Sequence, residues 1–198
     1  MRTRRGPVLL ALALVAALAG CGSGGSDRPA AAASGRSPAV EDNPAGDIPD
    51  NVAFVAYRPA SGRYEIKVPE GWARTDAATA VSFTDKLNTV RVELVTAGAA
   101  PSVDSARTGE VPAIQSAAQR FSLGTVETVT RNAGTAVLVT YRADSAVDPV
   151  TGKVVADAFE RYEFWRGGTE AVVTLSGPVN ADNVDPWRTV SDSFRWLP

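Results

Sequence analysis

The chain has 198 residues, 44% hydrophobic and 21% charged, with one cysteine, no histidine and a formal net charge of −2. That inventory excludes an imidazole general base, a Ser-His-Asp or Cys-His nucleophile pair, histidine-ligated zinc, an internal disulfide and any multi-cysteine cluster. It also lacks the basic surplus that binding to nucleic acid requires, and its length suits one folded domain.

The chain opens on Arg2, Arg4 and Arg5, followed by twelve residues, Val8 to Ala19, without a polar side chain. As a helix they would span about 18 Å against a hydrocarbon core of about 30 Å. That is too short for a membrane anchor and suits the apolar region of a signal peptide. Leu18-Ala19-Gly20-Cys21 then resembles the lipobox of bacterial lipoproteins. The resemblance implies cleavage of residues 1–20, a diacylglycerol in thioether linkage on Cys21, and a mature protein at the extracytoplasmic face of the cell membrane. Two or three acyl chains hold a protein at a bilayer stably, where one does not. Loss of the three arginines takes the charge from −2 to −5, so contact with the membrane is expected through lipid rather than through a basic surface.

Residues 22–47 are mostly Gly, Ser, Pro and Ala, with Val40 their only large aliphatic side chain. Such a stretch cannot bury enough apolar surface to offset chain entropy, so 21–47 is expected to be the lipidated cysteine and a disordered linker. A flexible chain of that length reaches roughly 30 Å.

From Ile48 period-two alternation begins, and 48–198 is expected to form a single domain. Val52–Tyr57 and Tyr64–Val68 read as strands joined by the turn Pro59-Ala60-Ser61-Gly62. Ala80–Asp85 and Thr89–Thr96 read as a hairpin around Lys86-Leu87-Asn88. A helical stretch follows, capped by Ser102 or Thr108, with Ile114, Ala117, Ala118 and Phe121 on its apolar side. Pro112 does not suit a continuous helix from Ser102, so the spacing predicts one beginning near Thr108. Four more strands, over 125–131, 135–142, 154–166 and 170–176, are separated by turn chemistry such as Asn132-Ala133-Gly134 and Gly167-Gly168. Short connections make these an antiparallel meander. A closing helix is capped by Asp185, with Pro186 in its first turn and Trp187, Val190 and Phe194 along one stripe.

Eight strands with two helices define an α+β domain, an antiparallel β-sheet flanked by helices. The order of elements resembles the Mog1/PsbP-like fold, especially the versions carried by actinobacterial lipoproteins. Tyr64-Glu65-Ile66-Lys67-Val68-Pro69-Glu70-Gly71-Trp72 is similar to the strand and Pro-x-Gly-Trp turn of those proteins, and Ser193-Phe194-Arg195-Trp196 to their terminal helix. The resemblance implies an α/β/α sandwich over 48–198 and a role in binding partners rather than catalysis.

Without histidine, chemistry would rest on carboxylates. Glu160 and Glu163 lie three apart on a strand, hence on opposite faces, and cannot flank one glycosidic bond. The spacing of Asp144, Asp148 and Asp157 does not match a calcium loop, so neither a metal nor a cofactor is expected. Arg161, Glu163 and Trp165 share one strand face, and an aromatic beside charges is the candidate partner-binding surface. Trp72 and Trp187 are expected in the core and Trp196 over its edge. The expected function is a membrane-anchored, non-catalytic envelope lipoprotein binding another envelope component, foremost a protein. Two alternatives stand beside it. One is a small-molecule or lipid-binding module with a pocket between helix 109–120 and the sheet; the other is a carboxylate-dependent hydrolase of wall polymer.

Overall fold

The computed structural model describes residues 44–148 and 150–198. The expected signal peptide, Cys21 and the expected linker up to residue 43 lie outside the described residues. Among the described residues there are ten strands: β1 (Phe54–Tyr57), β2 (Tyr64–Pro69), β3 (Ala73–Asp76), β4 (Ala80–Asp85), β5 (Asn88–Thr96), β6 (Ser122–Arg131), β7 (Gly134–Asp144), β8 (Ala156–Arg166), β9 (Thr169–Pro178) and β10 (Arg195–Trp196). Three helical segments accompany them: α1 (Val103–Ser105), α2 (Val111–Ala117) and α3 (Val184–Ser193).

Seven strands form one antiparallel sheet in the order β3-β4-β5-β9-β8-β7-β6, and β1-β2-β10 form a smaller one. The expected meander is β6 to β9, and its last strand pairs with the earlier hairpin, Val92 opposite Val173. Alternation then decides the two faces. Phe83, Val90, Val92, Tyr162, Phe164 and Leu175 go to one face, where β2 and α3 cover them. There Phe194 stacks on Phe164 at 4.8 Å, lies 5.6 Å from Tyr64 and meets the edge of Trp196 at 5.3 Å. Each large side chain buried in this way contributes about 1.5–3 kcal/mol. The opposite face carries the helical segment 103–117 over β6 and β7, where Ala106 and Val111 pack on Val126, Val137 and Val139.

That segment departs from the expected helix. Ser102 and Ser105 form a reciprocal capping box, and the chain stays helical through Pro112 by way of a π turn, Ala106–Glu110. Residues five apart lie about 140° apart around an ordinary α-helix. The wide turn brings Ala106 and Val111 together onto the sheet, so these two residues, rather than Ala117, make the buried side. Two strands were not foreseen: β3, whose four residues are all exposed, and β10, where the expected end of the last helix instead pairs with β2. Trp187 is buried as expected, while Trp72 and Trp196 pack against the core from its edge.

Among the described residues, side-chain hydrogen bonds that tie the start of the chain to the body of the fold begin at Gly46. Asn183 Nδ2 and Asn88 Nδ2 both donate to the Gly46 carbonyl, at 3.0 and 2.8 Å, and the Ile48 amide donates to Asn183 Oδ1 at 2.8 Å. The two amide side chains also meet, Asn183 Nδ2 to Asn88 Oδ1 at 3.0 Å. Gly177 lies under this knot, and a Cβ there would come within 3.0 Å of Asn183 Nδ2.

Candidate functional site

On the face that carries the helical segment, the opposite end of the sheet is covered by the connection between β7 and β8. The connection is tied to itself. The Ser145 amide donates to the Val155 carbonyl at 2.8 Å, and the Val155 amide returns to Ser145 Oγ at 3.1 Å. Asp148 Oδ1 accepts from the amides of Val150 and Thr151, at 3.0 and 2.6 Å, and from the Thr151 hydroxyl at 2.9 Å. These donors hold the Asp148 carboxyl below its ordinary range.

Between this connection and the sheet lies a cavity of about 630 Å³ with a mainly apolar wall. Thr84, Thr89, Ser176 and Phe159 come from one row of cross-strand partners through β4, β5, β9 and β8, and Arg91 and Thr174 from the next row. Leu87, Val147 and Val155 add apolar surface, and Lys86, Asp148 and Lys153 add charge. Phe159 is fixed by stacking on Tyr141 at 4.5 Å and 3°. Other hollows, of 420, 510 and 380 Å³, are smaller and have more polar walls.

Asp157, in the wall of the cavity, is 5% exposed, and its Oδ1 is buried without a hydrogen-bond partner among the described residues. Its cross-strand neighbours, Ala143 and Pro178, carry no side-chain donor. Burial alone pushes its carboxyl up to about 6. Volume, apolar wall and a few placed polar groups are the features of a small-ligand site.

The expected pocket between helix 109–120 and the sheet is not where the space lies: Ala106 and Val111 close that contact, and the cavity opens beside it. By sequence, the carboxylates Asp144, Asp148 and Asp157 suggest only a metal loop, whose spacing they do not fit. What pointed to them was the alternation in β8, which puts Asp157 on the face of Phe159 and Arg161 rather than in the core. Among the described residues no cluster of three or more potential metal ligands occurs.

Arg161, Glu163 and Trp165 do lie on that same face of β8. Arg161 bridges Glu110 Oε2 at 2.7 Å and Glu163 Oε1 at 3.2 Å, linking the π turn to the sheet. Glu163 is 1% exposed; burial, opposed by Arg161, raises its carboxyl to about 7. The half-buried Trp165 donates its indole N–H to the Ala97 carbonyl at 3.2 Å. Across the strands it stands beside Glu170 and then Val95, which is 43% exposed. A molecule reaching this surface meets Trp165, Val95 and the outer part of Arg161, with Glu163 beneath. Glu160 is on the other face, accepting from the Tyr162 hydroxyl at 2.6 Å.

No protein-family model matches the chain, and no curated protein matches it in sequence. Among solved structures it is similar to cyanobacterial PsbP from Synechocystis, with a TM-score of 0.50 and 16% identity over 81% of this chain and 100% of that one. A protein from Bacteroides thetaiotaomicron gives a TM-score of 0.51 at 10% identity, over 72% of this chain and 48% of the other, so the match spans about half of that protein. LpqN of Mycobacterium tuberculosis, described as involved in cell envelope biogenesis, gives 0.45 at 11% identity over 75% of this chain and 93% of its own. At such identities the likeness speaks to fold alone. The domain has a PsbP-like α+β fold, mainly antiparallel sheet with helices packed against it.

Proposed function

We propose that the protein is an extracytoplasmic module, anchored to the cell membrane by lipid on Cys21, that binds a ligand from the envelope without transforming it. The observation that carries the binding role is the 630 Å³ cavity, with its mainly apolar wall and the buried Asp157 carboxyl, whose Oδ1 lacks a partner among the described residues. Anchoring is supported by the lipobox-like Leu18-Ala19-Gly20-Cys21 and by the absence of any other cysteine. A non-catalytic role is supported by the two carboxylates in the cavity wall. Asp148 is committed to its own loop, which leaves Asp157 without a second free carboxylate to work with.

Two measurements test the reading. Cys21→Ala moves the protein out of the membrane fraction or leaves residues 1–20 uncleaved; full retention with no lipid mass on the wild type refutes the anchor. Native mass spectrometry of the detergent-extracted protein detects a retained small molecule, and Thr174→Trp, which fills the cavity, removes it. A wild type that carries nothing and binds nothing across a panel of amphiphiles refutes the cavity as the site.

A second reading, docking of an envelope protein, is favoured by the row Val95, Glu170 and Trp165, where an aromatic and an exposed aliphatic side chain flank a carboxylate. Its test is in-cell crosslinking with Trp165→Ala combined with Arg161→Ala. Capture of the same partners at the same yield removes this surface.

A further inference from the structure

The proposed binding role leaves the chemistry of the ligand open, and the wall of the cavity narrows it. Asp157 is the deepest charge there. A carboxylate in an apolar setting is costly unless it gains both a hydrogen-bond donor and a countercharge. No base lies within ion-pair distance of it among the described residues, and burial is the sole cause of its raised protonation range. The other charged groups in the wall are engaged or lie at the rim. Arg91 donates to Glu93 Oε2 at 3.3 Å, Asp148 is held by its loop, and Lys86 and Lys153 are exposed to water.

Three kinds of ligand headgroup can be compared at this position. A carboxylate would bring two anions together. A hydroxyl would donate to the carboxyl but leave the buried charge unbalanced. An ammonium group supplies donor and countercharge at once. The nearby apolar surface of Leu87, Val147, Val155 and Phe159 demands a hydrophobic body behind that group. Resting on the reading of this cavity as the ligand site, we propose that the ligand is an amphiphilic amine, its ammonium against Asp157 and its apolar body along Leu87, Val155 and Phe159.

The test uses the full-length protein in detergent and three probes of one shape: 4-phenylbutylamine, 4-phenylbutanol and 4-phenylbutyrate, titrated by calorimetry. At pH 7.5 the amine binds at least tenfold more tightly than either of the others. Because Asp157 must be ionised to receive it, amine affinity weakens about tenfold at pH 5, below the carboxyl's value of about 6, while the alcohol changes little. Asp157→Asn abolishes the preference for the amine and leaves alcohol binding in place. The same comparison in Asp157→Ser reads that preference in a second background. Equal affinity for amine and alcohol, or a preference that survives both substitutions, overturns the amine assignment while the cavity reading stands. Failure of all three probes to bind, or binding unaffected by Thr174→Trp, overturns both.

Discussion

The two faces of the seven-stranded sheet come from the same strands and have been put to different uses. Toward β2 and α3 the alternating residues are mostly aromatic or aliphatic, and Tyr64, Phe164, Phe194 and Trp196 form a continuous ring contact. Toward the π turn and the β7–β8 connection the alternating positions hold Asp157, Arg161, Glu163, Thr174 and Ser176, and the cover is incomplete. Burial is comparable at several of these positions, since Glu163 and Phe164 are each 1% exposed. The difference is in what burial does: on one face it stabilises, and on the other it holds carboxylates out of their ordinary protonation range. One face supplies most of the buried apolar surface, and the other can therefore carry costly groups.

The sharpest way to break this contrast is to truncate one aromatic on each side. Phe194→Ala, in the packed face, is expected to lower unfolding free energy by about 3–5 kcal/mol in urea titration, whereas Phe159→Ala, in the cavity wall, costs about 1 kcal/mol. Equal losses would mean that the cavity face contributes to the core after all. Next in size is Gly177→Ala, at about 1–3 kcal/mol, because the added methyl displaces the Asn88–Asn183 knot. Protection of the Ile48 amide against hydrogen exchange should fall with it.

Glu163 sharpens the contrast through pH. Its carboxyl sits near 4.5 when the chain is unfolded and about 7 when folded, so the folded state holds the proton more tightly. The resulting stability is complete below about 4.5 and is lost as pH rises through about 7. Glu163→Gln should be more stable than wild type above pH 7 by about 1–3 kcal/mol, with no advantage at pH 4. Thermal unfolding at pH 4 and pH 8 checks the sign. The smallest effect is expected from Glu65, buried between Arg58 and Arg195, which hold its carboxyl below its ordinary range. Here the sign reverses: stability is present above the ordinary carboxylate range and falls as acid protonates the group. Glu65→Gln should flatten that acid limb.

Period-two alternation made the strands of both sheets readable wherever one face is apolar, and it assigned Tyr162 and Phe164 inward and Arg161 and Glu163 to the other side. It missed β3, because Ala73–Asp76 is exposed throughout and so shows no alternation. It missed β10, because two residues cannot display a period and the pairing with β2 spans the whole domain. Pro112 suggested a break that the chain avoids by widening the turn before it. The cavity is the largest omission. Ser145–Val155 reads as an ordinary connection, and that it folds back over Thr174 and Ser176 depends on residues distant in sequence. Asp157 was visible as a charge in a strand of alternating character, but its isolation became apparent only with Ala143 and Pro178 beside it.

The π turn at Ala106–Glu110 leaves room for a change of length. Five residues there accomplish what four do in a standard coil, and Thr108 and Gly109 at its outer side touch water. Removing one of them would leave the flanking Ala106 and Val111 four positions apart, still pointing the same way. A gene could thus lose or regain a codon at this spot without rotating the helix off the strands beneath it. Copies that differ by a single residue here should therefore be interchangeable in everything the sheet does.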